Sequence, residues 1–266
     1  MKSRLSVLIL ALEISSVAIL SGCVAFDEQG VSEEVDVTEQ PIITTNSLTT
    51  NALTTSALTA DNPTISALTS KPLTTVALNT NLTVLGALGD AAARDLFSYV
   101  VGCALPLGAH VDVALDCGTY GFDGQIGLAP QWGNAGGSCD AQCRQWVSAC
   151  VISRVNYLGL PVLISDRGSK AALAVSASEA IDYTVREAAY FGDIFAKPQS
   201  LFACLSPGKI SIPRVCGPSI GGCDIEVVGW CDNACSSVNQ TTGAYTNCRE
   251  SPADPWFPAI TVYLDQ

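Results

Sequence analysis

The sequence predicts a disulfide-rich α+β domain, preceded by a signal segment, an acidic tether and a repetitive stalk. Apolar residues recur at three- and four-residue steps in three segments, at about 90–102, 140–158 and 177–190, which is typical of amphipathic helices. Short alternating segments lie around them and are typical of antiparallel strands. Of the 12 cysteines, 11 follow Cys23, and an exported chain would pair them as disulfides.

Each predicted helix carries its own local signal. Asp90 can cap the first helix, because a short acidic side chain accepts from the free amide groups at a helix start. In the second helix Trp146 and Cys150 lie on the same side with other apolar residues. Ser176 and Glu179 have the spacing of a capping box at the start of the third.

The predicted strands are short. Residues 111–115 alternate in polarity and residues 120–128 return after a turn at 116–119, which predicts a hairpin. Further strands are expected at 160–165, 210–216, 224–228 and 259–264.

The N-terminus has the layout of a secretory signal. Lys2 and Arg4 precede an apolar segment at 5–20, which is shorter than the roughly 20 residues that span a bilayer. The ending Leu20-Ser21-Gly22-Cys23 resembles the lipobox of bacterial lipoproteins. That resemblance implies that residues 1–22 are removed and that Cys23 carries a lipid. The alternative is an ordinary secreted protein with a chance cysteine.

The net charge of the chain limits the classes of partner that it can bind. The formal charge is −12, and removing Lys2, Arg4 and Glu13 with the signal leaves 11 basic against 24 acidic residues, or −13. Nucleic acid is excluded as a partner, because binding there needs Lys and Arg to meet phosphates. Residues 23–45 carry six acidic and no basic residues, which predicts a disordered tether.

Residues 46–88 repeat with a period of five. The third position of the block holds leucine seven times, while Pro63 and Thr83 interrupt the series. Such a period suits neither a helix nor a strand. Two alternatives remain: a short coil stack similar to pentapeptide-repeat proteins, or an irregular threonine-rich stalk. Both separate this segment from a cysteine-rich domain at 89–266.

Disulfides are the expected state of the domain's cysteines, with the connectivity left open. The candidates are Cys103, Cys139, Cys143, Cys150, Cys204, Cys216, Cys223, Cys231, Cys235 and Cys248. Because 11 is odd, one cysteine is either unpaired or pairs between chains, and Cys117 in the predicted turn is our candidate for the unpaired cysteine. The alternative for Cys139, Cys143, Cys231 and Cys235 is a zinc site, but the compartment favours oxidation, and we predict no metal or cofactor.

No catalytic set emerges from the sequence. Gly217–Gly221 matches the nucleophile pattern around Ser219, but that motif needs a histidine after it, and the single histidine is His110. A thiol paired with His110 would oxidise in an exported protein. Carboxylates for glycoside hydrolysis could be drawn from Glu179, Asp182, Glu187, Asp193 or Glu226, and nothing singles out two of them.

Aromatic residues suggest a binding surface instead. Trp132, Trp230 and Trp256 lie beside glycine or proline in predicted loops. Loops on a rigid scaffold commonly bind ligands, and tryptophan is favoured there. The alternative is that these side chains fill small satellite cores.

Five segments carry a family resemblance. They are Tyr99–Cys103, Gly127–Trp132, Trp146–Cys150, Tyr190–Gly192 and Arg214–Cys216. With the Asn-Ala-Leu-Thr repeat before them, they resemble a group of cysteine-rich lipoproteins from myxobacteria over residues 46–266. The resemblance implies surface localisation and carries no catalytic residue over.

We therefore expect a lipid-anchored envelope protein at the outer membrane with a non-catalytic binding or interaction domain. Its partners would be the membrane, through the lipid on Cys23, and a protein or glycan ligand. The alternatives are an exported hydrolase of cell-wall or polysaccharide substrates and a structural envelope protein.

Overall fold

The computed structural model describes residues 43–265, with side chains from residue 46. The predicted signal peptide, the lipidation of Cys23 and all but the end of the acidic tether lie outside these residues. Within them we find no helical segment with the length and hydropathy of a membrane span.

The helices and strands of the described residues are short. The helices are α1 (Thr50–Thr55), α2 (Asn62–Thr69), α3 (Thr75–Asn79), α4 (Leu82–Leu88), α5 (Ala91–Ala104), α6 (Ala141–Ser153), α7 (Ala177–Asp182), α8 (Pro213–Cys216) and α9 (Cys231–Ala234). The strands are β1 (Ile43–Asn46), β2 (His110–Leu115), β3 (Gly118–Asp123), β4 (Val162–Arg167), β5 (Val185–Asp193), β6 (Ser200–Leu205), β7 (Glu226–Trp230), β8 (Asn247–Cys248), β9 (Phe257–Pro258) and β10 (Ile260–Leu264).

A six-stranded sheet organises the fold, with the order β1-β4-β10-β5-β6-β7. Neighbouring strands are antiparallel except for the parallel pair β6–β7 at one edge. The predicted hairpin is present as β2–β3, and β8–β9 form a second small sheet. The α+β class is confirmed at the level of mixed helices and mainly antiparallel strands.

Two helices form the core against this sheet. Helix α6 packs on β5 and β10, and α5 packs on α6. The predicted cap of α5 is present, because the Asp90 side chain accepts from the backbone amide of Ala93 at 2.8 Å. Asp140 caps α6 in the same way, through the amide of Cys143 at 2.8 Å.

The second predicted helix is shorter than expected, since α6 ends at Ser153 rather than Leu158. Beyond Ser153 the backbone forms hydrogen bonds to distant segments of the chain in place of hydrogen bonds within the helix. The backbone amide of Asn156 donates to the carbonyl of Leu48 at 2.8 Å, and that of Tyr157 donates to the carbonyl of Arg214 at 2.7 Å.

The third predicted helix, at 177–190, is wrong over its second half. The capping box of Ser176 and Glu179 starts α7 as expected, but the chain then forms β5, a buried strand between β10 and β6. Pairing on both sides outweighs the local helical pattern, because the sheet satisfies the backbone and buries both faces. The expected strand at 210–216 is also wrong: Pro213 opens the short helix α8 instead.

The five-residue repeat is not a separate stalk within the described residues. Its leucines are buried in the same core as α5 and α6; they are Leu48, Leu53, Leu58, Leu68, Leu73, Leu78 and Leu88. The repeat is neither a coil stack nor irregular, because it forms α1 to α4 and a single 3-10 turn. Thr49 and Thr74 cap α1 and α3, so short capped helices redirect the chain often enough to bring each leucine inward.

The cysteines form disulfides, as predicted. Five bridges join pairs of described cysteines: Cys103–Cys150, Cys139–Cys143, Cys204–Cys231, Cys216–Cys223 and Cys235–Cys248. The assignment of Cys117 as the unpaired cysteine is wrong, because Cys117 is disulfide-bonded too. The described residues contain no free thiol.

Candidate binding clefts

A cleft of about 460 Å³ lies between α1 and the disulfide loop that follows α8. We call it the threonine cleft. It is lined by Thr49, Thr50, Asn51, Thr54, Thr55, Tyr157, Val215, Cys216, Gly222, Cys223 and Asp224. Neutral hydroxyl and amide groups predominate, with a single aromatic ring and a single carboxylate.

The helical wall of the threonine cleft presents hydroxyl oxygens. The Thr54 hydroxyl donates to the carbonyl of Thr50 at 3.0 Å, and the Thr55 hydroxyl donates to that of Asn51 at 2.8 Å. Because a hydroxyl has a single proton and two lone pairs, each of these oxygens keeps acceptor capacity for a ligand.

The opposite wall is built around Tyr157, whose side chain is 52% exposed. Its ring lies over Gly217, where an added Cβ would meet ring carbons at 2.9 Å. Gly217 also has a φ of 66°, a conformation that favours glycine. The Cys216–Cys223 bridge closes this loop over seven residues, so the tyrosine rests on a fixed backbone.

A second cleft, of about 470 Å³, includes His110. The sequence left His110 as the only candidate base, and the structure places it between two aspartates. Its Nδ1 lies 2.6 Å from Asp123 and its Nε2 lies 3.0 Å from Asp112. Gly121 on the facing strand makes space for the imidazole ring, because a Cβ at this position would lie 2.7 Å from the ring.

Hydrogen bonds to two carboxylates favour the protonated form of His110. The hydrogen bond to Asp123, followed by that to Asp112, raises the pKa of His110 above its ordinary value. An imidazolium with both nitrogens donating to carboxylates has no lone pair with which to act as a base. A role in catalysis would require one of the two aspartates to release it.

Two of the three tryptophans proposed for a binding surface are exposed, and their role in binding stays a prediction. Trp230 and Trp256 are 56% and 43% exposed, and the guanidinium of Arg249 lies 4.2 Å from the Trp256 ring. Trp132 is wrong as a surface residue: it is fully buried, and its Nε1 donates to the carbonyl of Lys71 at 2.8 Å. It belongs to the main core and serves packing.

Three other sequence candidates, Ser219, Glu187 and Asp193, have structural roles. Ser219 caps a single 3-10 turn inside the Cys216–Cys223 loop, so its glycine-rich motif is not a nucleophile elbow. Glu187 pairs with Arg214. Asp193 lies 3.3 Å from Arg144, and burial, the largest effect, raises the pKa of Asp193.

The zinc alternative is not supported by the pairing of its cysteines. Cys139 and Cys143 bond to each other, while Cys231 and Cys235 bond to Cys204 and Cys248. The sulfurs of Cys204, Cys231 and Cys235 do lie within 4.8 Å of one another. As disulfide sulfurs they offer no thiolate to a metal.

Sequence reasoning missed the threonine cleft. Its helical wall lay in the segment interpreted as a stalk, and Tyr157 lay inside a predicted helix. The available signal was the block of threonine and asparagine at 49–55, which is more polar than a buried repeat requires. No family model, curated protein or solved structure matches this chain.

Proposed function

We propose that this chain is an exported envelope protein, lipid-anchored at Cys23, whose disulfide-linked domain binds a hydroxyl-rich ligand such as a glycan without transforming it. The lipobox supports the anchor, and the disulfides are compatible with an oxidising envelope compartment. The resemblance to cysteine-rich myxobacterial lipoproteins adds an outer-membrane, surface location to the proposal.

We propose a glycan as the ligand because of the side chains that line the threonine cleft. Sugars are recognised by hydroxyl and amide groups that hydrogen-bond to their hydroxyls and by an aromatic ring that packs on their apolar faces. The cleft brings Thr54, Thr55 and Asn51 together with the exposed ring of Tyr157. Its volume suits a small-molecule site or a few residues of a polymer.

Binding to soluble cell-wall glycan fragments and neutral polysaccharides, measured by calorimetry on the full oxidised chain, tests the proposal. Tyr157→Ala should weaken binding about three- to ten-fold, because an aromatic contact contributes roughly 0.5–1.5 kcal/mol beyond its buried area. Thr54→Val, which removes a hydroxyl at constant shape, should weaken it as well. Trp256→Ala is the matched control, since it removes an equally exposed ring elsewhere.

Two results would refute this function. One is the absence of binding to any glycan of the panel, which would favour a structural envelope role. The other is an equal loss of affinity in Tyr157→Ala and Trp256→Ala, because the threonine cleft would then not be the site.

A hydrolase is the second candidate, and the Asp123–His110 contact is the observation that favours it. A carboxylate on Nδ1 is how many enzymes orient a basic imidazole. Incubating the same glycans with the full chain tests it. We expect no cleavage, whereas cleavage that His110→Ala abolishes would establish the hydrolase instead.

A further inference from the structure

Four aliphatic side chains are exposed to solvent in the turn before β4 and in the first two residues of that strand. We call residues 158–163 the apolar loop. Leu158 is 70% exposed, Leu160 is 60% and Leu163 is 52%, and Val162 beside them is 39% exposed. Residues 155–165 include no charged side chain. Single exposed aliphatic residues are common on proteins, whereas a contiguous group marks a contact surface.

A buried amide pair fixes the conformation of the apolar loop. The Asn156 side chain accepts from the amide of Leu158 at 3.0 Å and donates to the carbonyl of Leu160 at 2.6 Å. It also donates to Asn46 Oδ1 at 3.2 Å, and that oxygen accepts from the amide of Val162 at 3.2 Å. Asn46 and Asn156 are both buried, so the loop presents its leucines from a rigid base.

The apolar loop lies at the sheet edge where the N-terminal segment joins the domain. Strand β1 is the edge strand, with Ile43 opposite Ser165 and Asn46 opposite Val162. Counting from Cys23 to Ile43 gives 20 residue steps, which can span at most about 70 Å. A tether from a lipid on Cys23 would therefore enter the domain at this edge of the sheet.

We propose that the apolar loop inserts into the surface of the bilayer that anchors Cys23, and so docks the domain on the membrane. This inference rests on the anchor in the proposed function. Leucine and valine side chains enter the acyl region of a bilayer readily. Because the loop carries no Lys or Arg, docking requires apolar lipid area and not anionic headgroups.

Fluorescence quenching on vesicles tests the insertion. The full acylated chain is reconstituted in vesicles of phosphatidylcholine and phosphatidylethanolamine, with and without brominated acyl chains. A Leu160→Trp variant should be quenched by bromine, with a blue-shifted emission relative to the wild type. Ile181→Trp is the matched control, because Ile181 is 75% exposed on α7 and should stay unquenched.

A paired substitution measures the contribution of the leucines. In the Leu160→Trp background, Leu158→Ser with Leu163→Ser should lower the ratio of docked to undocked domain about ten-fold, equal to about 1.4 kcal/mol. Ile181→Ser with Ile210→Ser removes two exposed aliphatic side chains elsewhere and should leave the ratio unchanged. Adding anionic phosphatidylglycerol should not increase docking.

The possible failures are distinguishable. A chain that washes off the vesicles would overturn both the anchor and this proposal. A retained chain whose tryptophan at position 160 is quenched no more than that at 181 would overturn this proposal alone, with glycan binding unaffected. Concentration-dependent self-association that Leu158→Ser and Leu163→Ser abolish would likewise overturn it, and would assign the loop to a contact between two copies.

Discussion

Replacing Arg214 with methionine should cost more stability than any surface change, because Arg214 joins three elements in the interior. Its guanidinium reaches the Glu187 carboxylate on β5 through Nη2 at 2.5 Å and Nε at 3.1 Å. Its Nη1 donates to the carbonyl of Ser153, the last residue of α6, at 2.9 Å, and to that of Val155 just beyond the helix, at 2.7 Å. Burial alone would lower the pKa of Arg214, but Glu187 and Tyr190 outweigh it and raise the pKa, so the side chain stays charged.

The magnitude follows from what the substitution leaves behind. Methionine fills similar volume but donates no hydrogen bond, so Glu187 keeps only the Tyr190 hydroxyl, at 2.9 Å. Removing one partner of a buried pair typically costs about 3–5 kcal/mol, because the other charge stays buried and uncompensated. We expect a loss of about 4 kcal/mol, which is a large part of the roughly 5–15 kcal/mol that holds a domain together.

Guanidinium chloride unfolding of the oxidised chain, followed by circular dichroism, measures this loss. A double-mutant cycle with Glu187→Met separates the pair from the packing. Removing both charges should cost less than the sum of the single changes, since no charge is then left unpaired. A single Arg214→Met loss below about 1 kcal/mol, or strict additivity in the cycle, would refute the reasoning.

Three further predictions concern other parts of the chain. The His110 pKa, measured by NMR, should lie above 6.5 in the wild type and fall in the Asp123→Asn variant. Any stability that the ion pair contributes is fully present below pH 6.5 and is lost as the pH rises through the raised pKa. An unchanged pKa in the variant would contradict the contact. Replacing Cys103 and Cys150 by alanine should lower the free energy of unfolding by about 4 kcal/mol, because their bridge spans 47 residues; a loss below about 1 kcal/mol in denaturant unfolding would contradict the bridge. Peptide mass mapping should find a diacylglycerol thioether on Cys23 and a disulfide from Cys117 to another chain, because an S-alkylated Cys23 cannot be the partner of Cys117. A peptide that links Cys23 to Cys117 would refute the anchor.

The sequence was sufficient wherever a local rule governs structure. The predicted cap at Asp90 starts α5 where expected, because a side-chain oxygen satisfies amides only two or three residues away; α6 also starts where its apolar pattern predicted. The hairpin β2–β3 follows from alternation around a short turn. The oxidised state of the cysteines followed from the predicted export, although no rule of spacing could pair them.

The candidate site lay beyond such rules. The threonine cleft requires α1 to contact Tyr157 and the Cys216–Cys223 loop. The local sequence of each of these segments gives no indication that it packs against the other two. The same holds for Trp132, whose indole finds its acceptor on Lys71. A tryptophan beside glycine looks the same in sequence whether the chain folds over it or leaves it in water.

By itself the sequence determined the net charge of this protein, the starts of its main helices and the chemistry available to its cysteines. Only the tertiary structure decided that the leucine repeat enters the core, that residues 185–193 form a central strand and that the apolar loop faces outward. The physical reason is that burial and strand pairing depend on partners distant along the chain. The free energy of those contacts exceeds the few tenths of a kcal/mol per residue by which local preferences differ.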